Sequence, residues 1–346
     1  MGRLRQKAAV LVIALFSAVV LPACASSAKH TETYYTYFDT VTTVTMYGGA
    51  RDFDTVCSIL APMLERYHRA ADIYHEYSGE ANACTLNRLA GKGPVGVSDE
   101  LMELLLFGKD VFAKTNGMCN IAMGSVFSLW HDCREAALTG STAAVPSEAA
   151  LLSAAQHADI RDLILHTDER TAELTDAEMR LDLGAIAKGY AAEQIAQALE
   201  AQGFEHIALN IGGNVRTIGG KNSREDWVAG IQDPDAATDS AFLLRVSLSG
   251  EALVTSGSYQ RYYDYNGTRC HHIISPVTLR PDNRFVSVTV RAGDSGLADA
   301  LSTALFNMEY ADGFNYVNQL DGVEACWILS NGTIKYSHGF RQFVLQ

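Results

Sequence analysis

A carboxylate and a hydroxyl in the last third of the chain are suited to a divalent cation. Asp299 and Thr303 are four residues apart, and apolar residues recur from Leu297 to Met308 with the spacing of a helix. That spacing places the two polar side chains on one helix face. Both offer hard oxygens, which suit Mg²⁺, an ion that takes further ligands from water and substrate phosphates. A half-exposed polar face with an Asp–Thr hydrogen bond is the alternative.

The stretch Asp182–Tyr190, with the sequence DLGAIAKGY, indicates an anion site near the start of a helix. Asp182 occupies the expected N-cap of a helix over 184–202, and Lys188 lies nearly two turns in. Glycine inside a helix costs about 1 kcal/mol relative to alanine, so the two glycines of the stretch indicate close approach by a backbone or a ligand. Lys188 near a helix amino end would supply positive charge. An amphipathic helix with packing glycines is the alternative.

Two adjacent histidines lie within a strand-rich region. If His271 and His272 lie in a strand, their side chains point to opposite sides, so they cannot comfortably share one metal ion. A histidine that faces a cleft can act as a general base near neutral pH, and an ordinary surface histidine is the alternative. The Gly212-Gly213-Asn214 turn exposes successive N–H groups and is weak evidence for phosphate binding. No GxGxxG and no GxxxxGK[ST] motif occurs.

Charge limits the classes of partner. The chain has 346 residues and a formal net charge of −13, which argues against binding nucleic acid or anionic lipid headgroups. An anionic substrate must therefore be met by a local metal, lysine or helix amino end. Apart from Cys24, six cysteines are scattered without a CxxC pair. They indicate neither a zinc site nor a small disulfide scaffold, and free thiols and disulfides both stay open.

The amino end predicts export. Three basic residues precede an apolar run from Ala8 to Leu21, which is shorter than the ~20 residues of a membrane-spanning helix. The following Leu21–Cys24 (LPAC) resembles a bacterial lipobox, which implies cleavage before Cys24 and lipid attachment to its thiol. We therefore expect a signal peptide over 1–23, a lipidated tether over 24–33 and one large domain over 34–346, anchored to the outer side of the bacterial membrane. An ordinary cleaved signal is the alternative.

The helices and strands predicted to position these residues are mixed along the chain and do not form regular βαβ units. The spacing predicts helices over 52–74, 99–114, 147–157, 184–202 and 295–307, strands over 38–47, 163–166, 179–181 and 206–211, a strand-rich region up to 290, and a final hairpin around 331–332. This order favours an α+β architecture over a doubly wound parallel sheet.

Five motifs occur in this chain in the order that a known family shows. They are DLGAIAKGY, IGGNVR, TSGxYxRYY, HIIxP and GLADALSTALF. From about Phe38 to its end the chain resembles the ApbE family of FAD:protein FMN transferases. The resemblance implies a single large α+β domain with mixed, mainly antiparallel sheets and packed helices. It also implies Mg²⁺-dependent transfer of FMN from FAD to a Thr or Ser hydroxyl of an exported acceptor flavoprotein, such as a subunit of the RNF or NQR complexes, with release of AMP.

The resemblance also implies roles for single residues. The general base is His272, and the magnesium ligands are Asp299, Thr303 and the backbone carbonyl of Ala185. The expected FAD contacts are Phe38, Tyr74, Met118, Cys119, Asn120, Asp182, Lys188 and Ile273. Ser275 stands where family members commonly have Asp, which puts a local carboxylate in doubt; Cys119 and Asn120 replace the common Phe and Asp.

Two other functions stay open at this point. The same residues would serve an Mg²⁺-dependent FAD pyrophosphatase, in which water replaces the acceptor hydroxyl and the products are FMN and AMP. A lipoprotein that binds flavin without catalysis is the second alternative, which Ser275 keeps open.

Overall fold

A large antiparallel sheet organises the fold. The computed structural model describes residues 28–234 and 241–345; the predicted signal peptide and Cys24 lie outside these residues. Its strands are β1 (Ala28–Tyr34), β2 (Thr42–Gly48), β3 (Val95–Gly96), β4 (Leu163–His166), β5 (Thr171–Leu174), β6 (Ile207–Ile211), β7 (Asn214–Ile218), β8 (Trp227–Gln232), β9 (Phe242–Leu248), β10 (Ala252–Gly257), β11 (Tyr262–Tyr265), β12 (Thr268–His271), β13 (Phe285–Ala292), β14 (Glu324–Leu329) and β15 (Ile334–Tyr336).

The main sheet has eight strands in the order β1-β2-β6-β7-β10-β13-β14-β15. Every pairing within it is antiparallel. Smaller antiparallel sheets are formed by β3-β5-β4, by β8-β9 and by the hairpin β11-β12. The expected α+β class with mainly antiparallel sheets is confirmed.

Eight helices lie within the described residues, and three of them, the first, sixth and seventh along the chain, contact strands of the main sheet. The eight helices are α1 (Ala50–Ala71), α2 (Ala83–Arg88), α3 (Asp99–Lys114), α4 (Gly124–Leu138), α5 (Glu148–Ala155), α6 (Ala187–Glu200), α7 (Ser295–Asn307) and α8 (Tyr310–Val317). Helix α7 contacts β10 and β13 on one side and α6 on the other. Among the described residues, no helix is both long and apolar enough to cross a membrane.

Helix α7 is the most deeply buried of the elements that form the site. The side chain of Asp294 caps it by accepting a hydrogen bond from the Leu297 N–H over 2.8 Å. Leu301, Leu305 and Phe306 are completely buried and pack against strands of the main sheet. Because α6 covers the opposite side, polar residues of α7 are also enclosed, and each of them needs a partner or a ligand.

The start of α6 differs from the prediction. The helix begins at Ala187 instead of Gly184, and its N-cap, Ile186, makes no side-chain capping bond. Asp182 instead accepts a hydrogen bond from the Gly184 N–H over 2.8 Å. A carboxylate that bonds the backbone two residues ahead closes a turn, so the chain turns before it enters the helix. Lys188 therefore lies in the first turn of α6.

Other boundaries were predicted less well. The expected strand 38–47 begins at Thr42, because Phe38 and Asp39 have φ values of 54° and 50°, which no strand accommodates. Residues 28–33, expected in a tether, lie in β1 and pair with β2. The expected strand 179–181 is wrong, since Arg180 makes only an isolated bridge with Met123. The bounds of α3 and α7 are confirmed.

Candidate active site

The residues that the sequence predicts to form the site line one cavity. Its volume is about 820 Å³. Every predicted site residue except Cys24, which lies outside the described residues, lines this cavity: Phe38, Tyr74, Met118, Cys119, Asn120, Asp182, Ala185, Lys188, His272, Ile273, Asp299 and Thr303. They come from six separate parts of the chain, so the packing of the whole domain brings them together.

Asp299 is held where α6 meets α7. Its Oδ2 accepts hydrogen bonds from the Gly189 N–H and from the Asn214 side-chain amide, each over 2.8 Å. Its Oδ1 accepts none from the residues that the structure describes. A side chain at position 189 would place its Cβ 2.4 Å from both the Asp299 Cβ and the Ser295 carbonyl oxygen, so glycine is required for this close approach. One carboxylate oxygen is thus fixed and the other is free for a cation.

The charge of Asp299 depends on its surroundings. The side chain is almost completely buried, and burial raises its pKa, while Lys188, the Gly189 N–H and the Asn214 amide oppose that rise. A cation bound to this carboxylate would favour the ionised form further. Burial also raises the pKa of Asp182, against the opposing effects of its hydrogen bond from Gly184 and the positive charge of Lys188.

The residues near Asp299 fit a magnesium site of hard oxygens. Thr303 lies one helical turn further along α7, and its hydroxyl is 3.3 Å from that of Ser256. Asp299 bonds Gly189 and Asn214 and not Thr303, so the simple Asp–Thr pair is not observed. Within residues 28–234 and 241–345 no three or more His, Cys, Asp or Glu side chains form a metal-binding group. The expected magnesium site consists of one carboxylate, one hydroxyl and one backbone carbonyl. It therefore contains only one side chain of these four types.

The two histidines have different environments, as expected for neighbours at a strand end. His271 is buried, its Nε2 lies 3.1 Å from the Asp282 carbonyl oxygen, and its Nδ1 accepts a hydrogen bond from the Ile273 N–H. Both contacts fit a neutral ring that donates through Nε2. Burial lowers the pKa of His271 to about 4. This ring therefore fixes the backbone that carries His272 and Ile273.

His272 faces the cavity. The residue is exposed to the cavity space. The protein atoms around the cavity desolvate its ring, and this desolvation, together with the positive charges of Arg261 and Lys188, lowers the pKa of His272. Its ring is consequently neutral at physiological pH, the form in which imidazole accepts a proton.

The expected flavin contacts form another part of the cavity lining. Cys119 is buried, and burial raises its pKa to about 12, so it lines the cavity as a neutral thiol. The Asn120 amide donates to the Ala158 carbonyl oxygen and accepts from the Ala122 N–H, which holds the loop before α4. Tyr74 is 58% exposed, with its ring 5.6 Å from the His131 ring, so it lies where a planar group could stack on it.

Ser275, where the resemblance leads us to expect Asp, is buried and closes the loop after His272. Its hydroxyl accepts hydrogen bonds from the N–H groups of Val277 and Thr278 over 3.2 and 3.3 Å. A serine hydroxyl can close such a turn, so this loop is held without a carboxylate.

Several residues of the site were not identified from the sequence. Asn214 bonds Asp299, and its only signal was its place after the glycine pair. Ser256 and Arg261 lie in the TSGxYxRYY motif but had no role assigned. His131 and Arg134, from α4, also line the cavity, and no pattern in the sequence indicated them.

Known proteins resemble this chain over most of its length. A model described as the ApbE family matches residues 38–327. A protein of Treponema pallidum named FAD:protein FMN transferase is 35% identical over 268 residues, 73% of this chain and 72% of the relative. A Klebsiella pneumoniae protein of the same name is 30% identical over 282 residues, 81% of this chain and 84% of the relative.

Solved structures show the same fold. The crystal structure of an ApbE protein from Thermotoga maritima superposes with a TM-score of 0.79 at 26% identity and covers 92% of this chain and 100% of that protein. The flavinyl transferase ApbE of Pseudomonas stutzeri, at 22% identity, has a TM-score of 0.76 and shows the fold alone. Since sequence and fold both match over most of the chain, this protein belongs to the ApbE family.

Proposed function

We propose that this protein transfers FMN from FAD to a Thr or Ser hydroxyl of an exported acceptor protein and releases AMP, with Mg²⁺ as cofactor. The observation that carries the proposal is the single cavity that a neutral histidine, a partly unpaired buried carboxylate and a lysine line together. The names of the relatives support the same reaction.

Charge explains why a cation is needed. FAD carries a diphosphate with two negative charges into a protein of net charge −13. Asp299, Thr303 and the Ala185 carbonyl would hold Mg²⁺, and the chemistry it supplies when bound is neutralisation of that diphosphate. Lys188 adds a positive charge from the first turn of α6, where its Nζ donates to the Gly184 carbonyl oxygen over 2.9 Å.

Different residues of the cavity would carry out different parts of the reaction. Neutral His272 takes the proton from the acceptor hydroxyl, and that oxygen forms a new bond to the FMN-side phosphorus. The bond from this phosphorus to the bridging oxygen breaks, and AMP leaves with the bridging oxygen and its electron pair. Such a reaction is accelerated mainly by positioning and by stabilising charge, and the fixed contacts of Asp299 and His271 provide the positioning.

We further propose that a lipid on Cys24 anchors the protein to the extracytoplasmic side of the bacterial membrane. The basic residues, the apolar run and the LPAC sequence support this. Anchoring would confine the enzyme to the membrane face where exported flavoproteins, such as RNF or NQR subunits, are present.

The test is an assay of the purified protein with FAD and Mg²⁺, with and without a candidate acceptor. AMP release together with FMN ester-linked to an acceptor threonine or serine, detected by mass spectrometry, is the expected result. Release of FMN and AMP with no labelled acceptor would replace transfer by hydrolysis. Tight FAD binding without any AMP would show a flavin-binding lipoprotein instead of an enzyme.

A further inference from the structure

Arg261 differs from the other arginines that line the cavity. Arg88 pairs with Glu76, Arg134 contacts Glu135 and His131, and Arg180 donates to the carbonyl oxygens of Ala177 and Met179. The exposed guanidinium of Arg261 makes no hydrogen bond or ion pair with the residues that the structure describes. A fully charged group with five donors is therefore available inside the cavity.

The hairpin places Arg261 beside the proposed base. Tyr262 of β11 pairs with His271 of β12, so the residue before β11 lies opposite the residue after β12. The His272 N–H donates to the Arg261 carbonyl oxygen over 3.1 Å. The pairing register of two short strands thus fixes a cation and a general base next to each other, at the same end of one hairpin.

The charge of Arg261 reaches both sides of the cavity. It helps to lower the pKa of His272, and it also acts on Asp182 and Tyr74. These three groups come from the hairpin, from the turn before α6 and from the loop after α1, and all of them line the same cavity as Arg261.

We infer that Arg261 is a catalytic residue, which binds the FMN-side phosphate of FAD and stabilises the charge on its non-bridging oxygens during attack by the acceptor. This inference rests on the proposed function. The proton on the attacking oxygen passes to His272, so the attacked phosphorus lies within reach of a group adjacent to that base. A planar guanidinium binds two phosphate oxygens at once, which an ammonium does not. Lys188 supplies a point charge, and Arg261 supplies orientation as well.

Three variants test the inference. Arg261→Gln removes the charge, and Arg261→Lys keeps the charge but removes the paired donors. Arg269→Gln is the matched control, because Arg269 lies on the same hairpin with its guanidinium 4.3 Å from the Tyr262 ring centre and is absent from the cavity lining. The measurements are FAD affinity without acceptor and the single-turnover rate of AMP release with acceptor.

We expect Arg261→Gln to lower the single-turnover rate by about 10²–10³-fold, the usual effect of losing one group that stabilises transition-state charge. FAD affinity should fall by roughly 10-fold or less, because the effect is larger in the transition state than in the ground state. Arg261→Lys should recover part of the rate, and Arg269→Gln should retain both quantities.

The pH dependence separates a catalytic from a merely structural role. The charged or titratable groups that act on His272 are Arg261, Lys188 and His271. Loss of the Arg261 charge raises the pKa of His272, so the fall in rate at acid pH should begin at a higher pH in Arg261→Gln. It should not move in Arg261→Lys or Arg269→Gln.

The outcomes are distinguishable. If the original protein transfers FMN and Arg261→Gln does so at the same rate, or loses no more than Arg269→Gln, the inference is overturned and the proposed function stands. If the original protein releases no AMP under any condition, the proposed function fails first.

Discussion

At the scale of single residues, the free Oδ1 of Asp299 leads to a direct prediction. Asp299→Asn keeps the size of the side chain but removes the charge that would hold a cation. We expect Mg²⁺-dependent AMP release to fall by several orders of magnitude, on the order of 10³-fold or more. The measurement is the initial rate of AMP release over a magnesium titration.

Asp312→Asn is the control for this prediction, because Asp312 is an exposed carboxylate on α8. It should retain the original rate and the original magnesium dependence. Undiminished turnover in Asp299→Asn would contradict the proposal that Asp299 binds the metal ion.

His271 makes stability depend on pH. Its pKa is about 4 in the folded protein, below its ordinary 6.5, so the unfolded chain binds the proton more tightly. The free energy of unfolding therefore decreases as the pH falls from 6.5 towards 4, by up to about 1.4 kcal/mol per pH unit. Above pH 6.5 this contribution does not change.

Urea unfolding at pH 7, 6 and 5 measures this slope. His271→Gln should be less stable at pH 7, because the ring contacts with Asp282 and Ile273 are lost, and its stability should depend less on pH over the same window. An equal slope in both proteins would mean that His271 does not titrate as inferred.

At the scale of elements, the contact between α6 and α7 is set by Gly189. Gly189→Ala would place a methyl group 2.4 Å from the Ser295 carbonyl oxygen and the Asp299 Cβ, so one helix must shift. We expect a loss of about 1–3 kcal/mol in unfolding free energy and a large loss of AMP release, because Asp299 moves with α7.

Gly293→Ala is the matched control. It also adds one methyl group near the start of α7, and a Cβ at this position meets no atom within 4 Å. Thermal unfolding and AMP release should both stay near the original values. Equal behaviour of the two alanine variants would show that the helix contact tolerates expansion.

A buried ion pair joins three elements behind the site. Glu193 of α6 accepts hydrogen bonds from Arg216 of β7 and from the Ser295 N–H at the start of α7. Removal of one partner from a buried pair costs about 3–5 kcal/mol, so Glu193→Ala should be strongly destabilised in urea unfolding. Glu225→Ala, which breaks the exposed pair with Lys221, should cost at most about 1 kcal/mol.

At the scale of the whole molecule, the proposed lipid on Cys24 would decide where the enzyme works. Cys24→Ala should move the protein from the membrane fraction to the soluble fraction of the exported material, because no thiol remains for acylation. Ser26→Ala, two residues away, should stay with the membrane. Immunoblots of washed membranes measure the partition, and a Cys24→Ala protein that remains with the membrane would contradict the anchor.

The sequence predictions were correct where the physical cause of a feature lies within the segment itself. Helix α7 was predicted from Ser295 to Asn307 because its apolar spacing lies within the segment itself. The start of α6 was predicted wrongly, since Asp182 can cap a helix or close a turn, and its carboxylate closes the turn to Gly184.

The sequence by itself determined the chemistry available to this protein. It supplies the hard oxygens at Asp299 and Thr303, the adjacent histidines, Lys188 between two glycines, and the motifs that resemble the ApbE family. Only the tertiary structure decided which of these groups act together. Asn214 reaches Asp299 across 85 residues of sequence, and Arg261 lies beside His272 through the register of a hairpin. Such contacts depend on how buried elements pack, and the spacing of residues within one segment does not reveal that packing.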